Sequence, residues 1–298
     1  MNRRSFIYNS GLASLSVMGL NSCNLSSRDL KITILHTNDV HSQIDPFPSN
    51  HNLYPNKGGF SKRASLFKEL ITINPNTLIF DAGDIFQGTP YFNFFQGELE
   101  LNLMKMMGYN AATIGNHEFD AGLKTLKKNI LNNNFQFISS NYDFTNTELE
   151  GLIDKYKIYN KEGIRIGVFG LGIELKGLVN PLLYGETKYY DPVDIAKDIS
   201  SKLKYEKGCD LVICISHLGH QYQNKKISDI ELAKLTSNID LIIGGHTHTL
   251  LKKPLILNNL LGEDVIINQV GSSGVFVGKI DFYFSNSNKY SDNSLVEV

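Results

Sequence analysis

The sequence predicts an α/β domain, and three observations predict it. Short apolar runs alternate with longer segments of helical periodicity from Lys31 onward. Several runs are apolar on consecutive residues, which suits strands covered on both faces. The polar residues of chemical interest stand directly after those runs, where loops at the carboxyl ends of parallel strands converge on one crevice.

Strands are expected at Ile32–His36, Thr77–Asp81, Ala111–Ile114, Phe135–Ser139, Ile164–Leu171, Asp210–Ile215, Asp240–Ile243 and Val265–Gln269. Between them, Ala64, Phe67, Leu70 and Ile71 share one helical face, as do Leu123, Leu126 and Ile130. Ile195, Ile199 and Leu203 recur every four residues and predict a further helix. The Asn-rich stretch Asn132–Asn134 reads as a helix-to-strand turn. Alternation over Gly274–Phe284 suits a closing strand, and the polar tail 285–298 is expected to fray.

The chain has 298 residues, 42% of them hydrophobic, which suffices for a substantial core and argues against disorder. A net charge of −1 gives no global attraction to nucleic acid, and no nucleic acid polymer is expected as a partner. No repeat period stands out.

The first residues read separately. Arg3 and Arg4 precede a modestly apolar run from Gly11 to Leu20, too short to span a bilayer, and together they read as an export signal over residues 1–23. Arg3-Arg4-Ser5-Phe6-Ile7 resembles a twin-arginine signal, and Leu20-Asn21-Ser22-Cys23 resembles a bacterial lipobox. The expectation is a short linker over residues 24–30 and a protein of the cell envelope, anchored to the membrane by lipid on Cys23. A soluble secreted protein cleaved nearby, or a cytoplasmic protein with an unusual N-terminus, is the alternative. Cys209 and Cys214 are close on one extended segment, poorly placed to bridge, and read as structural.

Five short motifs carry the chemistry. In Thr37-Asn38-Asp39-Val40-His41, residues two apart in an extended segment point the same way, so Asp39 and His41 can grip one cation. In Asp81-Ala82-Gly83-Asp84, glycine allows a sharp turn that delivers the Asp84 carboxylate, whose two oxygens can bridge two metals. The others are Gly115-Asn116-His117-Glu118-Phe119-Asp120, Ile215-Ser216-His217 and Gly244-Gly245-His246-Thr247-His248. Each alone has an ordinary reading: a turn, a helix cap, a buried histidine. Their order and joint occurrence do not.

These five motifs resemble the calcineurin-like metallophosphoesterase superfamily. The opening Ile34-Leu35-His36-Thr37-Asn38-Asp39-Val40-His41 and the phrase Gly83-Asp84-Ile85-Phe86-Gln87-Gly88-Thr89-Pro90 are similar to its bacterial 5′-nucleotidase family. The resemblance covers about residues 31–284, the expected metallophosphoesterase domain. It implies two β-sheets packed face to face with helices on the outer sides. It implies one metal held by Asp39, His41, Asp84 and His248, and a second held by Asp84, Asn116, His217 and His246. Some members of that family carry glutamine where His248 stands. Mixed nitrogen and oxygen ligands suit two divalent ions such as Zn, Mn, Fe or Co better than Mg or Ca.

His117 and Asp120 match the family's catalytic pair. Their i, i+3 spacing at a helix start lets the carboxylate orient the imidazole and favour its protonated form. The implied function is hydrolysis of phosphate monoesters, with extracytoplasmic nucleotides as leading substrates. A 2′,3′-cyclic-nucleotide phosphodiesterase or nucleotide-sugar hydrolase is the enzymatic alternative, and a catalytically silent envelope lipoprotein with a binding role the other. Family members carry a C-terminal substrate domain, and no arginine follows Arg165 here. The expectation is a separate chain supplying that domain, or a domain acting alone.

Five further residues are read with lower stakes. Asp81 serves either a ligating histidine or the turn. His36 and His220 lie beside motifs but are not placed in the site. Arg63 is read as a surface or packing residue, and His51 as uninvolved in catalysis.

Overall fold

The computed structural model describes residues 30–285 and 288–298. The predicted export signal and lipobox, and all of the linker but its last residue, lie outside the described residues. In chain order the strands are β1 (Leu30–Thr37), β2 (Thr77–Asp81), β3 (Ala111–Ala112), β4 (Tyr142–Asp143), β5 (Tyr156–Lys161), β6 (Ile164–Leu171), β7 (Lys188–Tyr189), β8 (Leu211–Ser216), β9 (Leu241–Gly244), β10 (Leu255–Asn258), β11 (Asp264–Asn268), β12 (Phe276–Ser285) and β13 (Asn288–Glu297). The helices are α1 (Phe60–Ile73), α2 (Pro90–Phe95), α3 (Glu98–Met107), α4 (Gly122–Asn133), α5 (Pro181–Tyr184), α6 (Pro192–Ser201) and α7 (Asp229–Leu235).

Two sheets form the body. One runs β13-β12-β1-β2-β3 and the other β10-β11-β9-β8-β6-β5. Strand alternation explains the layering. Ile32 and Ile34 of β1, with Leu78 and Phe80 of β2, meet Leu211, Ile213, Ile215, Leu241 and Ile243 of the second sheet in one core. The intervening Leu35 and Ile79 face the other way, onto Phe67, Leu101, Met104, Leu126 and Ile130 from α1, α3 and α4. Val212, Cys214 and Ile242 face outward in turn and are covered by Ala196 and Leu232 from α6 and α7. Every residue on β2 and β8 is buried, so these strands read as unbroken apolar runs because both faces are covered. The face-to-face pair of sheets with outer helices is the architecture expected from the resemblance.

Parallel pairing of β1 with β2 and β2 with β3, and of β6 with β8 and β8 with β9, sends these carboxyl ends the same way within each sheet. Antiparallel β5 and β10 close the edges of the second sheet. Cys209 and Cys214 are both buried and free.

Three local expectations change. The tail does not fray: β13 pairs with β12 from Phe276↔Glu297 to Ser285↔Asn288, and Val298 is held by backbone bonds with Gly58 and Val275. A full ladder of backbone bonds compensates for a polar composition at a sheet edge. Phe135–Ser139 makes only isolated bridges, Ala112↔Phe137 and Ile138↔Asp154. The run Ala111–Ile114 yields a two-residue strand because Ile114 already belongs to the turn leading into the site.

Candidate functional site

The loops after β1 and β2 lie side by side. Asp39 N–H donates to Gly83 O, His41 N–H to Asp84 O and Ser42 N–H to Ile85 O. Asp39 (φ 49°) and His41 (φ 50°) are left-handed, so they do not converge as alternate residues of an extended strand, as the sequence suggested. Consecutive turns aim them instead. Asp84 (φ 55°), His246 (φ 72°) and His248 (φ 52°) share this conformation, which L-residues adopt at a cost and which clusters at functional sites.

Glycine is required at two positions. A Cβ on Gly115 would lie 2.3 Å from Asp84 Oδ1, and one on Gly83 would lie 2.7 Å from Gly115 N. The two loops thus touch backbone to backbone. Glu118 locks them: its buried carboxylate accepts from Asp84 N–H at 2.9 Å, Ile85 N–H at 2.7 Å and Gly115 N–H at 2.6 Å. Sequence reasoning gave Glu118 no role, and its place inside the Gly115–Asp120 motif is the only signal of one. Asn38 was missed too. It donates to Asp39 Oδ2 at 2.6 Å and to Gly271 O, and accepts from Val270 N–H, tying the first loop to the end of the second sheet.

The seven side chains proposed as ligands do meet. Asp39, His41 and His248 offer ligand atoms within 4.8 Å of one another, and so do Asp84, His217 and His246. Asn116 joins the second group, its Oδ1 lying 3.0 Å from His246 Nδ1. His41 Nε2 faces His248 Nε2 at 2.9 Å, and His248 Nε2 stands 3.5 Å from Asp39 Oδ1. The backbone N–H of His246 reaches both oxygens of Asp39, which knits the two groups together.

The donor set fits a cation. His217 is buried, and its Nδ1–H donates to Ala82 O at 2.6 Å, which leaves Nε2 with a lone pair facing Asp84 Oδ2 at 3.0 Å. His41 Nδ1–H similarly points at Phe86 O at 3.3 Å, so its Nε2 also presents a lone pair inward. Buried acceptor facing acceptor is stable only with a positive charge between. A proton can supply that charge: burial disfavours it, but the Asp84 carboxylate lifts His217 to about 10. A divalent ion supplies it better, because one ion serves every ligand at once. Burial opposes the charge on Asp84, yet His217, His117 and His41 hold its carboxyl well below the ordinary carboxylate range. His246 is pushed down to about 4 by burial and then by the charge on His217.

His117 Nδ1 lies 2.7 Å from Asp120 Oδ2. A 3₁₀ turn over His117–Phe119 brings i and i+3 together, and the hydrogen bond that His117 Nδ1–H donates to the Asp120 carboxylate raises the imidazole above its ordinary value against the effect of burial. His117 N–H also donates to Asp84 Oδ1 at 2.9 Å. An open cleft of about 480 Å³ is lined by His41, Asp84, Gln87, Gly88, Asn116, His117, His246 and His248, with Asp39 and His217 buried outside that lining.

The lower-stakes residues sort cleanly. Asp81 stabilises its turn, accepting from Gly83 N–H and Thr37 Oγ1. His36 is buried in β1 and accepts from Asn268 Nδ2. Arg63 is fully buried beside the Phe60 ring, a packing residue rather than a surface one. His51 stacks on Phe47 away from the metal groups. His220 donates its backbone N–H to Thr247 Oγ1.

The sequence profile of the calcineurin-like phosphoesterase family matches residues 32–250. Trifunctional nucleotide phosphoesterase protein YfkN of Bacillus subtilis is 30% identical over 85% of this chain and 18% of its own length. A 5′-nucleotidase of Vibrio cholerae is 30% identical over 88% of this chain and 50% of its own. The crystal structure of a 5′-nucleotidase precursor from Thermus thermophilus superposes with a TM-score of 0.80 and 29% identity, covering 90% of this chain and 54% of that one. The chain thus spans half or less of the length of these two curated relatives. The fold, the two groups of metal-competent side chains and these likenesses converge: the chain belongs to the calcineurin-like phosphoesterase family, whose members use divalent metals.

Proposed function

We propose that this chain is a dinuclear phosphoesterase of 5′-nucleotidase type, hydrolysing phosphate monoesters of nucleotides outside the cytoplasm. The observation that carries the reading is the meeting of two ligand groups beside the His117–Asp120 pair at the mouth of one cleft. Asp39, His41, Asp84 and His248 hold one divalent ion, and Asp84, Asn116, His217 and His246 the other. Such a pair of ions supplies an activated water at neutral pH and charge neutralisation for the phosphoryl oxygens.

The chain's own residues do the rest. Asp120 fixes the His117 ring and favours its protonated state, so that His117 donates a proton to the departing oxygen or a hydrogen bond to the charged transition state. Left-handed turns at Asp39, His41, Asp84, His246 and His248 hold the ligands in place before substrate arrives.

The N-terminal reading adds an exported protein anchored by lipid at Cys23 in the cell envelope. Nucleotide selectivity then comes from a separate substrate domain like the one family members carry, or is loose.

The test is turnover by the purified chain loaded with Mn²⁺ or Zn²⁺, assayed against AMP, a 2′,3′-cyclic nucleotide and an aryl phosphate. Preferred hydrolysis of AMP supports the reading. Preference for the cyclic ester replaces it with a phosphodiesterase, and no turnover by metal-loaded protein overturns it.

A further inference from the structure

Asp229 is fully buried at the start of α7 and does not line the cleft. Its Oδ1 accepts a hydrogen bond from Ser216 Oγ at 2.5 Å, and its backbone N–H donates to Gly219 O at 2.8 Å. Among the described residues its Oδ2 has no hydrogen-bond partner; it lies against Gly244, where a Cβ would come within 2.2 Å of it. One carboxyl group therefore touches the last residue of β8 and the last residue of β9. Ser216 immediately precedes His217, and Gly244 stands two residues before His246. The imidazole rings of those two histidines sit 5.2 Å apart.

We propose that Asp229 is a positioning residue for one metal ion and not the other: it braces the ends of β8 and β9 so that His217 and His246 present their lone pairs to the same point. The inference rests on the assignment of Asp84, Asn116, His217 and His246 to one ion. Selectivity follows from how the other group is held. Asp39 is fixed by Asn38, by Gly83 O and by the His246 N–H, and His41 by Asp84 O. His248 sits between residues tied to Gln269, through Thr247 Oγ1 at 3.0 Å and Thr249 N–H at 2.8 Å. Of these bonds only those from the His246 N–H start at a residue that Asp229 positions, and Asn38 and Gly83 hold Asp39 without it. A side chain that orients ligands without touching the ion typically governs about a tenfold to hundredfold range of affinity.

The experiment titrates Mn²⁺ into the metal-free full-length chain and its variants, with folding followed by circular dichroism and ion pairing by electron paramagnetic resonance. His217→Ala identifies which of the two binding steps belongs to the Asp84 group. In Asp229→Ala that step is expected to weaken about tenfold to a hundredfold with the other weakened far less, and the coupled-pair signal gives way to that of an isolated ion. Asp229→Asn, which keeps the shape and an acceptor for Ser216, restores most of the loss. Unchanged affinities, or equal weakening of both steps, overturn the proposal. Should Asp229→Ala fail to fold, Ser216→Ala removes the partner hydroxyl and must show the same selective loss in smaller degree; its absence counts against the proposal equally. Wild-type chain that binds two ions yet hydrolyses no phosphate ester refutes the proposed activity and leaves this inference standing. Binding of a single ion refutes both.

Discussion

His117 Nδ1 and Asp120 Oδ2 lie 2.7 Å apart, with no residue of either metal group between them. The pair is therefore separable from metal binding. His117→Ala is expected to keep both ions and lose about 10²–10⁴ in kcat, the usual range for a lost proton donor. Asp120→Asn should lose less, because the ring keeps a neighbour that can still accept its hydrogen. Metal analysis beside steady-state kinetics checks both, and loss of metal from His117→Ala would assign that residue a different role.

Gly115 is the contact on which the two central loops depend. Gly115→Ala places a methyl 2.3 Å from Asp84 Oδ1 against backbone that cannot yield cheaply. Overpacking of this kind costs about 1–3 kcal/mol. The variant is expected to unfold at lower temperature and to bind metal more weakly, both read in one thermal-melt series with and without Mn²⁺.

A buried acid far from the site gives the pH dependence of stability. Asp281 of β12 is 2% exposed and accepts from Thr33 Oγ1 at 2.6 Å, with Lys31 Nζ at 2.8 Å and Lys279 also in contact. Burial alone would raise its pKa, but the bonds from Lys279, Lys31 and Thr33 prevail and depress it. A carboxyl depressed on folding adds stability above its unfolded value and loses it as pH falls through the folded one. Asp281→Asn should thus lose about 1–3 kcal/mol at neutral pH and show a shallower further loss on acidification. Denaturant titrations from pH 7 downward measure this. Parallel curves for the two proteins would remove Asp281 from the account.

The envelope reading makes its own prediction. Expressed in a bacterium, the full chain should enter the membrane fraction and incorporate labelled fatty acid, and Cys23→Ala should abolish both. Equal labelling of the two chains would exclude Cys23 as the anchor.

Legibility in the sequence follows the physics of each element. β1, β2, β6, β8, β9 and β11 were readable because helices or the facing sheet cover both sides and leave apolar runs. Edge strands β5 and β13 were not, since their polar residues are accommodated by pairing on one side and solvent on the other, and the four-residue β10 was too short to stand out. Helices α2, α3 and α7 also went unread; α3 buries Glu100 together with Leu101, Met104 and Met107 and exposes Met106, which blurs its apolar face. The candidate ligands were readable through the family resemblance, whose motifs are each contiguous in sequence. The left-handed turns at Asp39 and His41, and the bonds that Glu118 accepts from Asp84 and Ile85, were not: each involves a loop distant in sequence.

The central claim is that Asp84 belongs to both ions. Metal stoichiometry of purified wild type and Asp84→Asn, by inductively coupled plasma mass spectrometry, tests it most directly. The account predicts two ions per wild-type chain and loss of occupancy at both positions in the variant. Full occupancy in Asp84→Asn, or loss confined to the ion shared by His217 and His246, would contradict it.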